Sequence, residues 1–221
     1  MKRIVEPRGV IRPEGSICVS LRVQLLGMPP VSKPLPRTIA GWMSASEAQR
    51  LEFVDGEFVE KAAPSAEHGF VQAKVVTQVS SRFNRRTGGR QPGGWWIVSE
   101  VDIQLANDGF RPDLCGWRRE RLSALPRERP IALCPDWICE IVSSSNASND
   151  RVVKMRAYHR AGVPHYWLID PVDRSLLVMR HAEGGYLNVL AATAEEIVRA
   201  EPFESVEFRV RDFFDDEEDD G

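Results

Sequence analysis

Pro135-Asp136-Trp137-Ile138-Cys139-Glu140-Ile141-Val142-Ser143 is the stretch whose reading decides the fold. From Trp137 to Val142 every residue but one is apolar, which predicts a buried strand. The exception, Glu140, shares its strand face with Ile138 and Val142, where a carboxylate is costly unless it is paired or bound to a metal. Downstream, Ser148 or Asn149 can cap a helix from Asp150 to about Ala161, ended by Gly162 and Pro164. His165-Tyr166-Trp167-Leu168-Ile169-Asp170 follows as a further strand, with Ser175 to Met179 as its hairpin partner.

Upstream, the alternation of Trp95, Ile97, Val101, Ile103 and Leu105 with polar residues predicts one half-buried strand from Trp95 to Leu105, and Pro112 to Trp117 predicts the next. Val71, Val75, Val79 and Phe83 recur at helical spacing in a helix from about Ala66, opened by Pro64-Ser65. Asp55-Gly56 joins two short apolar runs between Phe53 and Glu60, a strong hairpin signal. Ser44-Ala45-Ser46-Glu47 is a capping arrangement for a short helix to about Leu51. Helix, three strands, helix, strand is an α/β order that packs a mixed sheet between helices. Residues 1–43, with Pro29, Pro30, Pro34 and Pro36 close together, read as an extension. Residues 44–211 read as one domain, and 212–221 as an acidic tail.

A chain of 221 residues buries one sizeable core. Its 43% hydrophobic and 28% charged content argues against disorder. The apolar run Ile17 to Met28 is interrupted by Arg22 and Gln24 and falls short of a span, so no membrane association and a cytoplasmic location are expected. Cys18, Cys115, Cys134 and Cys139 form no Cys-x-x-Cys pair, which signals neither a disulfide framework nor a zinc ribbon. Seven carboxylates fall in the last ten residues of a chain with net charge -3, leaving a mild net +4 elsewhere. That excess is compatible with a polyanionic partner and far weaker than a basic stripe.

Three polar groups stand in otherwise apolar surroundings: Asp113, Glu140 and Lys154. One reading makes Glu140 and Lys154 a structural ion pair, with Asp113 capping a turn after Pro112. The other makes the trio a catalytic set.

Arg111-Pro112-Asp113, the Pro135–Ser143 stretch, Lys154 with Tyr158, and Ala161-Gly162-Val163-Pro164 through Pro171 together resemble the bacterial Uma-type family of putative restriction endonucleases. Asp55-Gly56-Glu57 and Pro64-Ser65-Ala66-Glu67-His68 extend the resemblance to roughly Ser44 through Arg180. It implies a restriction-endonuclease-like fold of the PD-(D/E)XK superfamily, a mixed sheet flanked by helices with an added N-terminal hairpin and C-terminal strands. It also implies metal-dependent cleavage of phosphodiester bonds in DNA. In the simplest superfamily pattern the lysine follows the acidic residue by two on the same strand. Val142 holds that place here, and Lys154 on the next helix takes the role.

Asp113 and Glu140 then supply hard oxygen ligands suited to Mg²⁺ or Mn²⁺, and Lys154 orients water or offsets transition-state charge. Glu57 is a candidate third acidic ligand or supporting residue, and His68 a candidate phosphate contact. For both, a solvated surface role is the alternative. Arg82, Arg85, Arg86 and Arg90 either follow a phosphate backbone or complement a helix end. Arg118, Arg119 and Arg121 read as a solvated turn. A homodimer is expected, because two sites related by a two-fold axis cut both strands of a duplex most simply. The competing function is a non-catalytic nucleic-acid-binding or assembly module that keeps the nuclease fold.

Overall fold

Residues 34–45, 49–143 and 147–215 are described by the structure, a computed structural model, with the side chains of 147–150 outside the description. In chain order the elements are α1 (Ile39–Met43), β1 (Leu51–Val54), β2 (Glu57–Glu60), α2 (Ala66–Phe83), β3 (Trp95–Ser99), β4 (Ile103–Leu105), β5 (Asp108–Phe110), β6 (Leu114–Arg118), β7 (Trp137–Ile141), α3 (Ala147–Arg160), β8 (His165–Asp170), β9 (Ser175–Ala182), β10 (Gly185–Thr193), β11 (Ile197–Val198) and β12 (Phe208–Arg209). Six strands form the main sheet in the order β10-β9-β8-β7-β6-β3, and a second sheet runs β2-β1-β5-β4. All neighbours in the main sheet are antiparallel except β7 and β8, a parallel pair that needs the α3 crossover. This is the expected α/β architecture with a mixed sheet.

Strand β7 explains its own composition. Trp137, Cys139 and Ile141 join a core with Val71, Val75, Val79 and Phe83 of α2, while Ile138 joins Cys115, Trp117, Tyr158, Tyr166 and Leu168 on the opposite face. Burial on both faces turns the usual alternation into a continuous apolar run. Alternation along the strand places Glu140 on the Ile138 face, beneath α3. The α2 face is completed by C-terminal residues. The Phe203 ring lies 4.6 to 5.5 Å from those of Phe83, Trp95, Trp137 and Trp167. A phenylalanine buried this fully is worth about 3–5 kcal/mol against alanine.

The strand expected from Trp95 to Leu105 is two strands in two sheets. Glu100 adopts a φ of +53° and its amide donates to the Asp113 carbonyl at 3.3 Å, so pairing with β6 stops at Ser99. Asp102 then turns inward between the guanidiniums of Arg111 and Arg129, and Ile103 begins a ladder opposite Phe110. A kink confined to one or two residues leaves the alternation on either side intact, so the hydrophobic pattern hides the break. Strand β5 has no counterpart in the sequence reading.

Asp55 and Gly56 form the hairpin turn as expected, at φ +50° and +83°. Within the Pro-rich segment, Thr38 caps α1 and Trp42 is buried. Its indole lies so close to Gly109 of β5 that a Cβ there would meet it at 2.3 Å. Of the helix expected from Ser44, Ser46 and Glu47 lie outside the described residues, and Leu51 opens β1 instead. Helix α3 already includes Ser148 and Asn149, so neither is its cap. Of the acidic tail, residues 216–221 lie outside the described residues, and Asp215 makes a two-pronged pair with Arg174. Among the described residues no helix is long and apolar enough to cross a membrane.

Candidate active site

Asp113 immediately precedes β6, buried to 1% exposure at the seam between the two sheets. Its Oδ2 accepts the Ile141 amide at 2.8 Å, and its Oδ1 accepts the Lys61 ammonium at 2.8 Å. Lys61, just past β2, also reaches the Arg111 carbonyl at 2.8 Å and Glu100 at 3.2 Å. Gln72 of α2 donates to the Asp113 carbonyl at 3.0 Å. Burial pushes the Asp113 carboxyl up, but His68 and Lys61 outweigh it and hold the group well below the usual carboxylate range. Burial likewise pulls the Lys61 ammonium down, and the Asp113 and Glu140 charges more than offset it.

Glu140 stands under α3. Its Oε1 accepts the Tyr158 hydroxyl at 2.6 Å and lies 3.4 Å from the Lys154 ammonium, one helical turn away from Tyr158. Lys154 is also 3.2 Å from Glu52 of β1, whose Oε1 accepts the Arg111 amide at 3.0 Å. Burial, assisted by the Asp113 and Glu52 charges, pushes the Glu140 carboxyl up to about 8 despite Lys154. Asp113 and Glu140 thus sit in one cluster with opposite electrostatic tendencies.

The structure brings together Asp113, Glu140, Lys154 and His68. His68, in the first turn of α2, has Nε2 3.4 Å from Asp113 Oδ1, outside hydrogen-bonding geometry. It does not bring Glu57 to them. Glu57 opens β2 beside the hairpin turn, 59% exposed, and pairs with Arg37. The hairpin register instead buries Glu52, opposite Val59, so this hairpin's carboxylate in the cluster is Glu52. The signal was available in Leu51-Glu52-Phe53-Val54, a carboxylate in an apolar strand like Glu140. Lys61, Gln72 and Glu100 carry no comparable mark, because each enters the site through tertiary contact alone.

Among the described residues no group of three or more His, Cys, Asp or Glu side chains is arranged to hold a metal ion. Mg²⁺ in phosphoryl-transfer sites typically takes one or two carboxylates, retains waters and accepts substrate phosphate oxygens. Asp113 and Glu140 match that donor set. Among the described residues, both ring nitrogens of His68 are buried without a hydrogen-bond partner beside Asp113, as a site suited to a water or a phosphate oxygen would have them. The residues present therefore fit a hard divalent cation.

The Uma2 family, described as "Putative restriction endonuclease", matches residues 40–211. Among solved structures, a crystal structure of a putative nuclease belonging to DUF820 from Anabaena variabilis ATCC 29413 superposes with a TM-score of 0.65 at 19% identity. The match covers 80% of this chain and 97% of that one, and at this identity it shows the shared fold. No curated protein matches. With a family match over most of its length and a fold shared with a structure described as a putative nuclease, the chain belongs to the Uma2 family of restriction-endonuclease-like proteins.

Proposed function

We propose that this chain is a divalent-metal-dependent endonuclease that hydrolyses phosphodiester bonds in DNA, acting in the cytoplasm as a homodimer. The observation that carries the reading is the convergence of Asp113, Glu140 and Lys154, with Glu52, in one buried cluster on the family's fold. Mg²⁺ or Mn²⁺, when bound, supplies Lewis-acid polarisation of the phosphoryl group and a more acidic water. Asp113 and Glu140 would hold the cation. Glu52 takes the supporting role that the sequence suggested for Glu57.

The protein's own residues divide the remaining work. The Ile141 amide fixes one oxygen of Asp113 and leaves the other facing Lys61 and His68. Tyr158 and Lys154 orient Glu140. Lys154 carries positive charge to the place where a phosphorane would gather negative charge. His68 offers a ring nitrogen to a water or to the phosphate. Because its carboxyl titrates near 8, Glu140 holds a proton at neutral pH that it must release when a cation binds.

The alternative, a non-catalytic nucleic-acid-binding or assembly module, is favoured by Lys61, which already neutralises Asp113 without a metal. One assay separates the two. Supercoiled plasmid, single-stranded DNA and RNA are incubated with the protein in Mg²⁺, Mn²⁺ or chelator, beside Glu140→Gln and Lys154→Ala. Metal-dependent cleavage of DNA that both variants lose is expected. Cleavage of RNA alone would move the substrate, and intact nucleic acid in every lane would leave the module.

A further inference from the structure

The two arginine groups that the sequence sets apart meet in one cleft. Arg86, from the loop after α2, lines a cavity of 580 Å³ with Arg118 and Arg119, at the end of β6 far from Asp113. Five residues of extended strand separate Arg118 from Asp113, roughly 17 Å. Trp95, Thr87 and Ser123 supply an apolar wall and two hydroxyls.

The cleft is built by specific contacts. The Arg119 guanidinium stacks on Trp96 at 3.3 Å from the ring centroid, and its Nε donates to the Trp95 carbonyl at 2.8 Å. Among the described residues its terminal nitrogens make no hydrogen bond. Arg118 lies 4.8 Å over the Trp95 ring. The loop bearing Arg86 is pinned because the Gly93 and Gly94 amides donate to the Arg82 and Arg85 carbonyls at 3.0 and 2.7 Å. Gly93 adopts φ +64°, and a Cβ there would meet the Arg86 carbonyl oxygen at 2.4 Å, so only glycine allows the loop to fold this tightly.

No ion pair within 4.0 Å joins Arg86, Arg118 or Arg119 to a carboxylate among the described residues. Glu120 is the one acidic side chain lining the cleft. Two guanidiniums fixed by stacking, with the Arg86 charge beside them, repel one another unless an anion joins them. Arg119 shows this, its guanidinium drawn below the ordinary value by partial desolvation and then by the Arg86 charge. Planar guanidinium forks with free N–H groups match phosphate oxygens as well as carboxylates, and a phosphate, which can carry two negative charges, offsets more of the cleft's positive charge.

We propose that this cleft is a phosphate-binding site, separate from the carboxylate cluster, that takes the phosphate group of a nucleotide or of a nucleic-acid strand. The site stands whether or not the carboxylate cluster cleaves DNA.

Titration calorimetry in chelator tests it with four probes: inorganic pyrophosphate, a nucleoside 5′-monophosphate, and a four-residue oligothymidylate with and without a 5′-phosphate. Binding confined to the monophosphate, pyrophosphate and 5′-phosphorylated strand identifies a terminal phosphate as ligand. Equal binding of both oligonucleotides identifies the internal phosphodiester backbone, and either outcome supports the site. Arg86→Ala removes an exposed side chain and should weaken the bound probe about tenfold, the scale of one charge-assisted hydrogen bond. Arg119→Lys keeps the charge but loses the fork and should weaken it too. Glu120→Gln removes the opposing charge and should tighten it. Absence of binding by all four probes at millimolar concentration, or binding that none of these variants changes, would overturn the proposal.

Discussion

Asp113 accepts the backbone amide of Ile141 at 2.8 Å, so the carboxylate just before β6 is fastened to the residue that follows Glu140 on β7. Asp113 and Glu140 are thereby held in fixed register by a buried charge-assisted hydrogen bond rather than by side-chain packing alone. Asp113→Asn should abolish metal-dependent cleavage and destabilise the chain by about 3 kcal/mol, because the buried Lys61 ammonium loses its main counter-charge. Urea denaturation alongside the plasmid assay measures both effects. A variant of unchanged stability would mean that Lys61 finds its compensation in Glu100.

Stability in chelator should depend on pH through Glu140. Its folded value of about 8 lies above the unfolded value of 4.5, so across that window the folded chain keeps a proton that the unfolded chain has released. Folding stability therefore falls as pH rises from about 4.5 to 8, by up to about 1.4 kcal/mol per pH unit. Glu140→Gln lacks this slope. Its melting temperature should match wild type near pH 5 and exceed it at pH 8.5. A variant less stable than wild type at every pH, with the slope retained, would assign the slope to another group and make Glu140 an ionised partner of Lys154.

Cation binding should be linked to the same proton. Between pH 6 and 8 the apparent affinity for Mg²⁺ or Mn²⁺ should rise about tenfold per pH unit, with close to one proton released per ion. Calorimetry in buffers of different ionisation enthalpy counts the proton. Affinity that stays flat over this range would show that no proton leaves Glu140 on binding, because it is either already ionised or not a ligand.

Glu52→Gln and Glu57→Gln separate the two acidic residues of the hairpin. Glu52 is buried against Lys154, so its neutralisation should lower the cleavage rate by tenfold or more and shift the pH optimum through Glu140. Glu57 pairs with Arg37 at the surface, an interaction worth about 0–1 kcal/mol, and its neutralisation should leave both rate and profile alone. Equal losses in the two variants would contradict the buried placement of Glu52.

Much of this site was legible because burying a charge is costly, and that cost makes a carboxylate in an apolar strand conspicuous. Asp113, Glu140 and Lys154 were found that way together with the family's motifs. The same logic applied to Leu51-Glu52-Phe53-Val54 would have found Glu52, but the Asp-Gly-Glu turn drew the assignment to Glu57. Strand β7 was readable because burial on both faces leaves a continuous run, whereas the kink at Glu100 hides between two segments of matching alternation. Lys61 and the Arg86, Arg118 and Arg119 cleft were illegible because their meaning lies in how distant segments meet, which no local pattern records.

The carboxylate cluster occupies the seam between two sheets, and its members come from β1, the residue after β2, α2, the residue before β6, β7 and α3. Each of the two sheets alone lacks part of it. A chain still emerging from the ribosome exposes Glu52 and Lys61 first and Lys154 last, so no partial product carries the assembled set. The cluster proposed to carry catalysis is thus completed only when Lys154 of α3 joins residues supplied by both sheets, so a partly made chain would lack it.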